Sequence, residues 1–230
     1  EASGGTVAGS TTVCAGTNST VLTLSGNTGN VLGWESSTTE DFANPTNIAN
    51  TTTTLTATNL TQTTYFRAVV ENTGTGTRIS ATTAVPVIYS TVATITVNPV
   101  SVGGTVAGST TVVAGSNSTT LTLSGHTGGV VKWQSSASMD FASPTDIANT
   151  TTSLTATNRT QTTYYRAVVK SGECPEVFSS VATITVTQAS GGTIAGSTTV
   201  CDGTNSTTLT LSGNTGSVVR WQSSTTENFA

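Results

Sequence analysis

Cys14, Cys174 and Cys201, together with His126, are the side chains best suited to nucleophilic, redox or soft-metal chemistry in this chain of 230 residues. Zinc would want about four sulfur or nitrogen ligands, usually paired at short spacing. Here the three cysteines are far apart, no CxxC is present, and His126 is the sole histidine. The carboxylates that could act as acid and base, or bind calcium, are Glu40–Asp41, Asp140, Asp146 and Glu173 with Glu176. None sits in a DxDxDG loop, the spacing that wraps oxygen ligands around calcium. Asparagine in an N-x-S/T sequon is a further candidate for modification and occurs at Asn18, Asn50, Asn59, Asn117, Asn149, Asn158 and Asn205.

These residues are positioned by a repeat. GGTVAGSTTV at 4–13 returns at 103–112 and, as GGTIAGSTTV, at 191–200. Trp34, Trp133 and Trp221 follow at the same distance each time. The acids do not keep step: Glu40–Asp41 becomes Met139–Asp140 and then Glu227–Asn228. A catalytic carboxylate pair would have to persist in each working copy, so this variation argues against acid–base catalysis. No residue is expected to serve catalysis, a cofactor or a metal.

About a quarter of the chain is threonine, 8% is charged, and the net charge is −4. No basic stripe is available for phosphates, so nucleic acid is not an expected partner. No apolar run reaches the ~18–20 residues of a membrane-spanning helix. A repeat near 90 residues exceeds the ~20–45 residues of a solenoid rung and suits a complete small sandwich. The expected architecture is all-β, with domains at 1–99, 100–188 and an incomplete 189–230. The chain reads as a piece of something longer. The joints NPVS and TQAS are short, which favours a semi-rigid, extended rod.

Within the second copy, strict alternation predicts strands. Leu121 and Leu123 point inward from TLTLS, Val131 and Trp133 from VVKWQSS, and Leu154 with Ala156 from SLTAT. TYYRAVV turns Tyr165, Ala167 and Val169 inward, leaving Tyr164, Arg166 and Val168 outside; VATITV buries Ala182, Ile184 and Val186. Lys132 and Gln134 are expected outside, and Phe141 and Ile147 at the core edge. The three tryptophans are the expected core anchors. In the third copy Val219 and Trp221 have no facing sheet in the sequence given.

A tryptophan on the third strand and a tyrosine on the sixth resemble an immunoglobulin-type sandwich. The wording of GGTVAGSTTVC, NSTTLTLSGNTGSVVRWQSS and SSVATITV resembles the Ig-like repeats of large cell-surface adhesins of Bacteroidota, the SprB-like gliding adhesins among them. That resemblance implies type IX secretion, an outer-membrane-anchored position at the cell surface, and possession of many such modules in a filament. It implies as partners the neighbouring Ig-like repeats, the secretion or motility machinery of the outer membrane, and an extracellular surface or glycan reached through other parts of the parent protein. In related repeats a cysteine before the second strand pairs with one in the last hairpin. Here no complete copy carries both, so no disulfide is expected within residues 1–230.

The remaining features read structurally. His126 replaces Asn27 and Asn214 of the other copies and is expected in a turn, where either type tolerates left-handed backbone. Threonine runs resemble ice-binding arrays but suit the wet face of a twisted sheet. Sequons arise readily in a threonine-rich chain. The expected function is a non-enzymatic stalk segment of an adhesin, supporting adhesion and gliding. The alternative is a glycan- or protein-binding module using the insertion at about 71–90 of the first copy, with Arg78, Ile79, Val87, Ile88 and Tyr89 as contact residues.

Overall fold

The structure, a computed structural model, describes residues 2–72 and 86–229. Alternating threonine and aliphatic residues give short strands with one wet and one dry face. In the first repeat these are β1 (Thr6–Ala8), β2 (Thr11–Cys14), β3 (Ser19–Ser25), β4 (Val31–Ser37), β5 (Thr46–Ile48), β6 (Thr54–Thr58), β7 (Thr64–Glu71), β8 (Val87–Tyr89) and β9 (Ala93–Asn98). Strands β1-β3-β6 form a small antiparallel sheet. The larger sheet runs β2-β9-β7-β4-β5, with β8 also paired to β7. Its edge pair β2/β9 is parallel, placing Cys14 opposite Asn98 at the end where the repeat hands over to the next.

The second repeat follows the same plan with β10 (Thr105–Ala107), β11 (Thr110–Val113), β12 (Ser118–Ser124), β13 (Gly129–Ser136), β14 (Thr145–Ile147), β15 (Ser153–Thr157), β16 (Thr163–Lys170), β17 (Val177–Phe178) and β18 (Ala182–Thr187). Its sheets are β10-β12-β15 and β11-β18-β16-β13-β14, with β17 on β16. The fold is all-β, built of tandem Ig-like sandwiches. In the third copy the described strands are β19 (Thr193–Ala195) and β20 (Thr210–Ser212), paired antiparallel.

Each sandwich closes on its tryptophan. Trp133 is fully buried among Leu121, Leu123, Leu154, Tyr165, Ala167, Val169 and Ile184, and Trp34 sits in the matching cluster of the first repeat. An indole N–H in a dry core needs an acceptor. Trp34 Nε1 donates to the Thr52 carbonyl at 3.0 Å and Trp133 Nε1 to the Thr151 carbonyl at 2.9 Å. That carbonyl is presented by an asparagine turn: Asn149 Oδ1 accepts from the Thr151 N–H, and Asn149 Nδ2 donates to the Ser153 carbonyl.

Several inward or outward assignments change; Val186, expected buried, is half-buried. Val131 is 38% exposed, and its neighbour Val130 enters the core instead. The cause is a bulge in which Val131 is the extra residue between the pairs Val130↔Val169 and Lys132↔Val168. One inserted residue shifts the alternation by one position. Gln134 and Val168, expected outside, are buried, as is Phe141. Phe141 lies outside the tryptophan cluster and packs on the opposite face of the large sheet, under Arg166. Trp221 is not a core residue here: it is 53% exposed and Val219 94% exposed, since no facing sheet stands over them among the described residues.

Candidate functional site

Reactive side chains from different parts of the chain come together at the seam between the first two repeats. Cys14, the last residue of β2, is disulfide-bonded to Cys174, in the turn that joins β16 to β17. The bond links partners 160 residues apart and contradicts the expectation that no disulfide forms within this chain. The pairing runs between repeats and not within one. The cysteine of one repeat reaches the hairpin of the next, because the handover end of the first sandwich abuts the hairpin end of the second.

The seam is tightly built around that bond. Ala15 N–H donates to the Asn98 carbonyl at 2.9 Å, holding Cys14 beside the joint. Cys174 is buried, its N–H donates to the Ser171 carbonyl at 2.8 Å, and its sulfur lies 3.2 Å from the Pro99 carbonyl oxygen. Ser171 N–H donates to Ser101 Oγ at 2.9 Å, with both residues buried. Gly172 has φ +48 and presses against the Asn98 side chain, so a Cβ there would collide with it. On the neighbouring turn, Val102 and Thr127 exchange backbone hydrogen bonds of 3.2 and 3.0 Å. The joint is Asn98–Val102, one residue longer than the corresponding stretch 187–190.

His126 lies in the turn between β12 and β13, as read from the sequence, but for a different reason. The left-handed positions of that turn are Gly125 (φ 66) and Gly128 (φ 109), not His126. Asparagine serves this position by bridging the turn: Asn27 Nδ2 donates to the Gly29 carbonyl at 3.0 Å and Asn214 Nδ2 to the Gly216 carbonyl at 2.9 Å. His126 is half-buried against Gly104 and makes no such bridge. Among the described residues, no group of three or more His, Cys, Asp or Glu side chains could hold a metal ion.

A second constellation recurs on the outer face of each large sheet. Arg67 lies over Phe42 at 4.1 Å and Tyr89 at 3.7 Å, and Arg166 over Phe141 at 4.1 Å and Phe178 at 3.6 Å. Arg67 Nε donates to Glu35 at 2.8 Å, with which it forms an ion pair. Arg166 Nε donates to Gln134 Oε1, whose amide donates onward to Asp146 at 2.8 Å; Lys132 reaches the same carboxylate at 2.7 Å. Burial pushes the Arg166 guanidinium pKa down. Phe42 and Phe141 both have φ 53, a left-handed conformation costing a bulky residue ~1–3 kcal/mol. Local turns hold them there. Ser138 Oγ and Ala142 N–H both donate to Asp140, and Phe141 N–H donates to the Ser138 carbonyl. Thr39 and Ala43 do the same for Asp41, and these bonds keep both carboxyls below their ordinary value. Asp41 and Asp140 are therefore turn-builders that aim a ring at an arginine.

The asparagines of the sequons are also occupied structurally. Asn117 Nδ2 donates to the carbonyls of Val113 and Arg159 at 2.8 Å, while its Oδ1 accepts from Arg159 N–H. Asn18 makes the same three bonds with Cys14 and Leu60. Asn59 and Asn158 are left-handed at φ 55. Outward threonines form only short rows on the small sheets, three cross-strand pairs in β12/β15 (Ser118↔Thr157, Thr120↔Thr155, Thr122↔Ser153). In the insertion, Ile88 packs against the core while Val87 and Tyr89 are 41% and 43% exposed; Arg78 and Ile79 lie outside the described residues.

The profile of a family described as "Domain of unknown function (DUF8696)" matches residues 3–99, 102–188 and 190–230. The chain belongs to that family. No curated protein matches it. Among solved structures, a marsupial T cell receptor overlays with a TM-score of 0.51 at 13% identity, over 84% of this chain and 75% of that one. A mouse coronavirus receptor-binding domain complexed with its murine receptor gives 0.49 at 12%, over 79% and 100%. A Ca2+-stabilised adhesin of an Antarctic bacterium that binds ice gives 0.42 at 15%, over 84% and 52%. The first likeness shows the fold alone, and the looser two carry no argument about function.

Across the DUF8696 copies the junction cysteine was the functional residue hardest to place from sequence. Cys14 occupies a position that is Val113 in the second copy and Cys201 in the third. One signal was available: the first repeat has a cysteine at this position and the second has one in its hairpin, so each is spare within its own DUF8696 unit. Cys201 is a free, exposed thiol in the structure. Its carbonyl still accepts from Asn205 Nδ2 at 3.1 Å, the counterpart of the Asn18 to Cys14 bond at 2.8 Å.

Proposed function

We propose that this chain is a non-enzymatic segment of an extracellular stalk, in which tandem sandwiches hold a distal part of a larger surface protein away from the cell. The observation that carries the reading is the disulfide between successive repeats. Such bonds persist in oxidising compartments and are rare in a reducing cytosol. A bond that ties one repeat to the next stiffens a tether, whereas a binding site gains nothing from it. The recurring polar side chains support the same reading, since arginine, asparagine and aspartate are committed to turns and stacking. The repeats are arranged end to end as an extended rod, and the parent is a bacterial adhesin of the gliding type, exported to the outer-membrane surface by type IX secretion.

A second reading, that the first repeat is itself a glycan- or protein-binding module, is favoured by Val87 and Tyr89, which lie in the insertion with exposed side chains. Antibodies raised against the purified chain distinguish these. The stalk reading expects them to label intact cells, and expects the chain alone to bind neither a glycan array nor host-cell surfaces. Labelling only after permeabilisation would overturn it. Binding abolished by deleting residues 73–85 would replace it with the module reading.

A further inference from the structure

Where tension enters and leaves this chain is decided by the bond between Cys14 and Cys174. Pulled by its ends, a chain without that bond can be unfolded until force passes through every residue in sequence. With it, the covalent path from the first residues runs to Cys14, crosses the two sulfurs, and continues from Cys174. We infer that the disulfide makes the first two repeats one force-shielded unit, in which residues 15–173 cannot be drawn out by end-to-end tension. Strands β3 to β9 and β10 to β16, with both buried tryptophans, lie inside that loop. Among the described strands of the first two repeats, β1 and β2 at one end and β17 and β18 at the other can be peeled away.

The seam is shaped to keep the crossing short and oriented. The Ser171–Ser101 hydrogen bond and the contact of Gly172 with Asn98 hold the hairpin of the second repeat on the joint, and the Val102–Thr127 pair holds the adjacent turn. Cys174 is buried there, so reductant in solution reaches it poorly while the seam is intact. Position 113 of the second repeat is valine, so the bypass does not extend through the second joint by this route. Covalently, the chain then has two kinds of joint, one bridged by a disulfide and one joined by its backbone, with hydrogen bonds such as that from Gln188 Nε2 to the Thr160 carbonyl beside it. Tension on the protein in life is what the stalk reading supplies. The route that tension takes depends on the bond alone.

Single-molecule force spectroscopy on the full chain, held by handles at its two ends, tests this. Extended chain spans ~3.3–3.6 Å per residue. The oxidised protein is expected to release no more than ~100 Å from the first two repeats, from the stretches before Cys14 and after Cys174. A dithiol reductant transfers two electrons and two protons to the cystine, giving two thiols and its own disulfide. After that treatment, or in Cys14→Ser, unfolding is expected to release a further ~500 Å. Equal release with and without reductant in the wild-type chain would overturn the inference, and that comparison needs no variant to fold. Failure here leaves the surface-labelling result untouched, and absent labelling leaves the force result untouched.

Discussion

Arg166 stands 3.6 Å from the centre of the Phe178 ring, and one repeat earlier Arg67 stands 3.7 Å from that of Tyr89. A second ring, Phe141 or Phe42, closes the other face at 4.1 Å in each case. The guanidinium thus fastens β17 or β8 and the turn before β14 or β5 to the outside of the large sheet. The counter-charge beneath it differs, Glu35 in one repeat and Gln134 with Asp146 in the other. What the copies share is the aromatic sandwich, which identifies it as the structural element.

Arg166→Ala should therefore destabilise the second repeat, by about 1–3 kcal/mol, through loss of two ring contacts and of the hydrogen bond to buried Gln134. Arg166→Lys keeps charge but not the planar stack, and should recover less than half of the loss. Denaturant melts of the two variants check this; a fully restored lysine variant would show that charge alone matters.

Trp133→Ala removes the largest buried side chain of its sandwich and leaves the Thr151 carbonyl without its indole donor. The expected cost is about 3–5 kcal/mol, enough to unfold a small domain, with the first repeat still folded around Trp34. Fluorescence and hydrogen exchange, read repeat by repeat, report this; a loss under about 1 kcal/mol would mean that the tryptophan does not anchor the core.

Asp41, Asp140 and Asp146 are all held below the ordinary carboxyl value of 3.8. For Asp140 the Ser138 hydroxyl is the main cause, followed by Ala142 N–H; for Asp146 it is the hydrogen bond from Lys132, then that from Gln134. A group whose folded pKa is depressed takes up its proton in the unfolded state first. Its stabilisation is present above 3.8 and is lost as the pH falls through the lower folded value. Thermal midpoints should hold steady on acidification from neutrality until the pH nears 3.8, then drop, and Asp140→Asn should shallow the drop. All three groups are exposed, so the effect is small, and a midpoint that rises in acid would refute the assignment.

The fold was legible because alternation is a two-residue code: Leu121 and Leu123 are buried and Thr120 and Thr122 exposed, as TLTLS implies. The code slipped at Val131, where a bulge adds a residue that no local composition marks. It also missed the outer face. Gln134 reads as a surface residue and Phe141 as an edge of the tryptophan core, yet both are buried on the outer face, where Arg166, from a strand 32 residues after Gln134, covers them. The seam was least legible. Pairing of Cys14 with Cys174 depends on which ends of two sandwiches meet, a property of neither repeat alone.

The bond that ties the first repeat to the second, with Cys201 left free, is open to a non-reducing peptide map of the purified chain. Alkylation before digestion should yield a cross-linked pair of peptides containing Cys14 and Cys174, which separates on reduction, and Cys201 modified as a thiol. Recovery of Cys14 and Cys174 both alkylated, or of either joined to Cys201, would contradict the account.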